Sequence, residues 1–139
     1  ELIMSIPLSN IGRIRVPDNL IQQLDSLLID TDTRHLTSIT FNFRDPEYSP
    51  TNGGFHPVEI RLFKDKQTWL LDYFTDFSYA GTYAELEKEV DILFQEGTVY
   101  LAYVGSLGEQ PAIELTKITI TNFISYLNMG VYQTQISTD

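Results

Sequence analysis

Two alternating apolar runs, separated by a long insert bearing proline and glycine, set the tightest limit on what this chain can fold into. Ile39, Phe41 and Phe43 alternate with Thr40, Asn42 and Arg44, and Val58, Ile60 and Leu62 alternate with Pro57, Glu59 and Arg61. Successive side chains of a strand point to opposite faces, so a period of two describes strands with one buried and one wet face. Between the runs lies Asp45-Pro46-Glu47-Tyr48-Ser49-Pro50-Thr51-Asn52-Gly53-Gly54-Phe55. Pro46 and Pro50 cannot donate to a sheet ladder, and Asn52-Gly53-Gly54 is turn chemistry. Residues 45–55 therefore form a connection, of a length that is uncommon in compact domains and often tied to function.

The rest of the chain supplies partners for this pair. Ile14 and Val16 alternate with Arg13 and Arg15 between Gly12 and Pro17, which permits a short edge strand. Asp18 reads as an N-cap. Leu20, Ile21, Leu24, Leu27 and Leu28 follow at helical spacing and predict an amphipathic helix over 19–29. Strands are expected over 36–44, 56–63 and 68–79, with a hairpin turn at Lys64-Asp65-Lys66-Gln67. By simple alternation Trp69, Leu71, Tyr73, Phe77 and Tyr79 share one face of the third strand, opposite Asp72 and Asp76. Ala80-Gly81-Thr82-Tyr83 breaks the pattern. Residues 84–88 favour helix by propensity, whereas Val90, Ile92 and Phe94 alternate as in a strand. Glu96-Gly97 reads as a two-residue hairpin turn, followed by a strand over 98–104 and a loop over 105–111.

Residues 112–129 pull two ways. Their Thr and Ile content favours strand. Leu115, Ile118, Phe123, Ile124 and Leu127 nevertheless fall near the helical period, and Asn128-Met129-Gly130 is a stop signal, so a helix is expected there. A last strand would cover 131–137. The order makes an α+β fold in a single domain over 1–139: an antiparallel sheet of about five to seven strands flanked by an N-terminal and a C-terminal helix.

Composition narrows function by exclusion. With 9 Lys plus Arg against 19 Asp plus Glu, the net charge is −10. Such a field repels phosphate backbones, so no duplex nucleic acid is expected as a partner. A local basic face would have to come from Arg13, Arg15, Arg34, Arg44 and Arg61. The chain has no cysteine, which excludes disulfides and thiolate metal sites and suits a cytoplasmic setting. No apolar run is long enough to span a membrane. Glu1-Leu2-Ile3-Met4 lacks the basic and apolar regions of a signal peptide.

Chemistry-bearing residues gather around the insert. Arg44, Asp45, His56 and Glu59 could form a polar cluster, and a histidine with carboxylates has the parts for acid–base work. The simpler reading has Arg44 pairing with Asp45 or Glu59 and pinning the insert. If the two strands are neighbours, Asn42, Arg44, Glu59 and Arg61 share a polar face that Asp72 extends. The chain's two histidines, His35 and His56, show no HxH or HExxH spacing, so no metal site, cofactor or catalytic residue is assigned. Gly53-Gly54 lies in no phosphate-loop pattern. Glu85, Glu87, Glu89 and Asp91 lack calcium-loop spacing and read as a solvated face. Arg44, Asp45, Tyr48, His56, Glu59 and Arg61 are the candidate binding residues.

The run Phe41-Asn42-Phe43-Arg44-Asp45-Pro46, with Gly53-Gly54-Phe55-His56-Pro57-Val58-Glu59-Ile60-Arg61 and Asn128-Met129-Gly130-Val131-Tyr132 near the end, resembles a bacterial domain-of-unknown-function family. That family has no established activity, so the resemblance carries over no functional residue. It implies a twisted antiparallel sheet flanked by helices, similar to the acidic mitochondrial matrix protein that also binds complement. By analogy it implies an acidic interaction module with a protein partner and a capacity to form homo-oligomers. A small enzyme using His56 with Asp45 or Glu59, a ligand-binding domain on the same cluster, and a nucleic-acid binder using the arginines are the competing readings.

Overall fold

The structure is a computed structural model that describes residues 10–11, 14–80 and 85–139. Arg13, Gly12 and the break at 81–84 lie outside the described residues. A two-residue strand β1 (Asn10–Ile11) pairs with β2 (Ile14–Arg15). Helix α1 (Asp18–Leu27) follows. Then come β3 (Ser38–Arg44), β4 (Val58–Asp65), β5 (Thr68–Ala80), β6 (Glu85–Leu93), β7 (Thr98–Leu101) and β8 (Gly105–Ser106). Helix α2 (Glu109–Met129) returns the chain to the far edge of the sheet, where β9 (Gln133–Thr138) pairs with β3. The seven strands are ordered β8-β7-β6-β5-β4-β3-β9, and every neighbouring pair is antiparallel. The expected α+β architecture is therefore the observed one.

The alternation in β3 and β4 is borne out. Ile39, Phe41 and Phe43 are buried, as are Val58, Ile60 and Leu62, and Phe41 lies opposite Ile60. One face of the antiparallel sheet is wet and the other covered by helix. On the covered side Phe123 of α2 stands edge-on to Phe43 and Phe74, with ring centroids at 4.9 and 5.3 Å. Edge-to-face pairs place the positive rim of one ring on the negative face of another.

Several local expectations need correction. Asp18 is the first helical residue rather than the cap: Pro17 occupies the cap position and no side chain caps the helix. Proline has no N–H, but its carbonyl still accepts from Leu20 and Ile21. The buried stripe of α2 runs Ala112, Thr116, Ile120, Phe123 and Ile124, while Ile118 is exposed. The helix begins at Glu109, and Pro111 sits in its first turn, where a missing N–H costs nothing. Gly130 ends it with φ +78°, as the stop signal predicts. Residues 85–88 extend as strand, because pairing with β5 outweighs a modest helix propensity. The β6–β7 connection is a four-residue turn at 94–97. The expected strand over 98–104 stops at Leu101, and Gly105–Ser106 folds back on it through a tight turn with Tyr103 at φ +64°.

The largest departure is in β5. Arg61 lies opposite Tyr73 and Leu62 opposite Leu71, leaving Asp72 as an extra residue. Two residues facing one partner residue make a β-bulge, and everything beyond it changes face. Trp69 and Leu71 face the core before the bulge, and Phe74 faces it afterwards, while Tyr73 turns to the wet side beside Glu59. A second bulge leaves Glu89 extra in β6, since Asp76 pairs with Val90 and Phe77 with Lys88.

Phe123→Ala removes the ring on which Phe43 and Phe74 converge. It should lower unfolding stability by about 3–5 kcal/mol, measured as a shift in the urea midpoint at unchanged slope.

Candidate functional site

The insert 45–55 is held by its own first residue. The two carboxylate oxygens of Asp45 accept from the backbone N–H of Glu47 at 2.9 Å and of Phe55 at 3.0 Å, closing the loop at both ends. Ser49 and Gly53 exchange backbone hydrogen bonds across the tip. Gly54, at φ +132°, passes so close that a Cβ would stand 2.9 Å from an Asp45 carboxylate oxygen and from the Tyr48 Cα. Only glycine fits there. The Tyr48 hydroxyl accepts from the Tyr79 N–H at 3.0 Å, and its ring packs against Tyr79 and His56.

Arg44 is not the pin. Its side chain is exposed, and among the described residues no carboxylate lies within ion-pair distance of it. Both carboxylates expected to hold it are engaged elsewhere, Asp45 by backbone and Glu59 by the Tyr73 hydroxyl. The expected polar face does form, and Arg44 stands on it beside Asn42 and Glu59, though without an ion pair among the described residues. Asn42 lies opposite Glu59, Arg61 donates to Asp72 at 2.7 Å, and Thr75 donates to Asp91 at 2.7 Å. Burial, then the hydrogen bond to Glu59, raises the Tyr73 hydroxyl above its ordinary range.

His56 belongs to the other side of the sheet. Its Nδ1 lies 2.8 Å from Asp76 Oδ1, and Glu89 stands beside both. The Tyr132 hydroxyl donates to the His56 carbonyl at 3.2 Å. The Ser78 hydroxyl donates to one Glu89 oxygen at 2.7 Å. His56, Asp76, Glu89 and Tyr132 line a cavity of about 390 Å³ between the sheet and α2, walled by Phe55, Leu115, Phe123 and Tyr126. A shallower groove of about 970 Å³ runs outside it, between the insert and residues 130–133. The hydrogen bond to Asp76 favours the His56 imidazolium and raises its pKa against the opposing effect of burial. Burial raises Asp76 in turn, opposed by His56. Burial is also the main cause that lifts the Tyr132 hydroxyl.

Of the six candidate residues, the structure brings Asp45, Tyr48 and His56 together around the insert, while Glu59 and Arg61 lie on the wet face. Arg44 stands at the exposed end of β3. Sequence reasoning missed Asp76, Glu89 and Tyr132. Alternation puts Asp76 away from the aromatic face, and only the bulge at Asp72 carries it to the core side. Glu89 leaves the expected solvated row for the same kind of reason.

Residues 18–137 match the model of a family described as a protein of unknown function, DUF2787. The chain belongs to this family. No curated protein matches. Among solved structures, the chain is similar to a hypothetical protein from the VSP-II pathogenicity island of Vibrio cholerae. The TM-score is 0.88 at 32% identity, over 98% of this chain and 99% of that one. It is also similar to a conserved hypothetical protein from the VPI-2 island of Vibrio cholerae O1 biovar eltor, with a TM-score of 0.80 at 29% identity over 96% and 100% of the two chains. That second protein is described as sharing structural homology with the human P32 protein. The family resemblance drawn from the central motif thus holds. Among the described residues no helix is long and apolar enough to cross a membrane.

Two outcomes follow from this geometry. Asp45→Ala strands two backbone donors and should destabilise by about 1–3 kcal/mol, whereas Arg44→Ala should stay within about 0.5 kcal/mol, both read from urea midpoints. His56 holds its proton more tightly folded than unfolded, so its contribution to stability is full below the ordinary pKa of 6.5 and is lost as pH rises through the raised folded value. Asp76, also raised, acts with the same sign at lower pH. In chelator-containing buffer, stability should fall between pH 6 and pH 8.5, read from urea midpoints, and only modestly because the pair is partly exposed. His56→Asn should flatten that slope.

Proposed function

We propose that this protein is a non-catalytic binding module that takes a basic, extended segment of a protein partner in the groove between the insert 45–55 and residues 130–133. The observation that carries this reading is the groove's composition. Asp45, Glu47, Tyr48, Phe55 and Tyr132 line it, and among the described residues no Lys or Arg does. Carboxylates beside aromatic faces favour ammonium and guanidinium groups by Coulomb attraction and by cation–π contact. The polar atoms of the insert are largely used to hold its shape, which suits a preformed surface that binds without reorganising. Gln133 of the groove also begins β9, an edge strand of the sheet. Such an edge can accept another strand, from a partner or from a second copy of the chain. The likeness to human P32 described for the similar VPI-2 protein supports a binding rather than a catalytic role by analogy of fold.

A second reading, a small enzyme or a ligand-binding domain, draws on one observation: His56 pairs with Asp76 rather than with Asp45 or Glu59, beside the cavity under α2. Nucleic acid is disfavoured. Arg34 is neutralised by Asp32 at 2.6 Å and Arg61 by Asp72, which removes two members of the basic face the arginines would need.

Titration with a lysine- and arginine-rich peptide of about ten residues, followed by calorimetry, tests the proposal. Binding should weaken on the order of tenfold for Glu47→Lys and for Tyr48→Ala. Glu96→Lys, an equal change of net charge at an exposed turn, should leave it unchanged. Equal losses for both charge reversals would reduce the effect to bulk charge, and measurable binding of a DNA duplex at physiological salt would overturn the assignment of partner class.

A further inference from the structure

We infer that His56, Asp76 and Glu89 form a binding site for a first-row divalent metal ion, with Zn²⁺ preferred, at the edge of the cavity between the sheet and α2. One ligand atom from each residue lies within 4.8 Å of the other two. Small side-chain adjustments would bring such a set around one ion, whose bonds to imidazole nitrogen and carboxylate oxygen are about 2.0–2.2 Å. The three side chains come from the connection just before β4 and from two bulged strands, so separate segments converge on one point.

Charge is the second, independent argument. Asp76 is 19% exposed along its side chain, and among the described residues no Lys or Arg lies within ion-pair distance of Asp76 or Glu89. Lys88, next in sequence to Glu89, points to Asp91 instead. Two neighbouring, partly buried carboxylates favour a compensating cation, and among the described residues only a histidine supplies one. Supply and demand within the cluster also leave room. Asp76 uses one oxygen for His56 and Glu89 one for Ser78, so each keeps a solvent-reachable carboxylate oxygen that accepts no hydrogen bond from another described residue. Those lone pairs are what a metal would take.

Donor chemistry selects the metal class. Mixed nitrogen and oxygen ligands without sulphur suit Zn²⁺, Ni²⁺, Fe²⁺ or Mn²⁺, whereas Ca²⁺ and Mg²⁺ prefer oxygen-only shells with more ligands. The usual affinity order places Zn²⁺ above Mn²⁺. Three protein ligands leave at least one coordination position open, and the cavity lies beside it. The inference does not depend on the peptide groove: the groove's test varies Glu47 and Tyr48, which are not ligands here.

Calorimetry of the chelator-stripped full chain with ZnCl₂, and electron paramagnetic resonance with Mn²⁺, provide the test. One Zn²⁺ per chain should bind. Glu89→Gln and His56→Ala should each weaken binding on the order of tenfold or more, and His35→Ala should leave it unchanged. Glu89→Gln, at a partly exposed bulge position, keeps the test valid if Asp76→Asn fails to fold. Mn²⁺ should bind more weakly and be displaced by Zn²⁺, and Mg²⁺ should not compete at millimolar concentration. Absence of stoichiometric Zn²⁺ binding, survival of binding in both Glu89→Gln and His56→Ala, or its loss in His35→Ala would overturn the assignment.

Discussion

One extra residue in a strand decides where the polar chemistry of this protein lies. At Asp72 the ladder between β4 and β5 slips by one, and the face that each later side chain of β5 occupies is exchanged. Phe74 gains a place under α2, where Phe123 packs edge-on to it. Asp76 is carried with it to the helix side and meets His56. Tyr73 goes to the wet face and donates to Glu59. Without the slip, a strand of strict alternation would bury Tyr73 and leave Asp76 in water. The core of the sheet and the polar cluster beside it are consequences of the same irregularity.

The insert is ordered by a different device. A single carboxylate, Asp45, satisfies two backbone donors, those of Glu47 and Phe55, eight residues apart along the chain, and the glycine at 54 allows the close approach that this needs. Hydrogen bonds from a charged acceptor to backbone N–H groups are among the stronger ones, and they satisfy donors a long loop would otherwise leave to water. Pro46 and Pro50 limit the conformations open to the unfolded segment. The result is a fixed rim against which residues 130–133 complete the groove. Arg44, the residue whose charge most invites a role in the loop, takes none within it.

The acidic excess is not spread evenly over functions. Some carboxylates are structural: Asp72 and Asp32 hold arginines, Asp45 holds backbone, and Glu59 takes a tyrosine hydroxyl. Glu47 remains exposed on the groove, and Asp76 with Glu89 remains short of positive charge beside the cavity. These two places have unmet electrostatic demand, and both lie at the end of the sheet where the insert, β5, β6 and the end of α2 converge.

The sequence by itself determined the α+β class, the antiparallel pairing, both helices, the buried faces of β3 and β4, and the position of the long loop. Those follow from local periodicity and turn chemistry, which short windows of residues carry in full: Ile39, Phe41 and Phe43 declare their face without reference to any partner. Helix α2 was also legible from its period and from Gly130, although its buried stripe shifted to Ala112, Thr116 and Ile120 because the sheet, not the helix, chooses which side is covered. Only the tertiary structure decided the site. A bulge is a mismatch in count between two strands, so neither strand's own sequence records it, and the partners of His56 could not be read from residues near it. Asp76 and Glu89 are 20 and 33 residues away along the chain, and they reach His56 only because two ladders each slip by one.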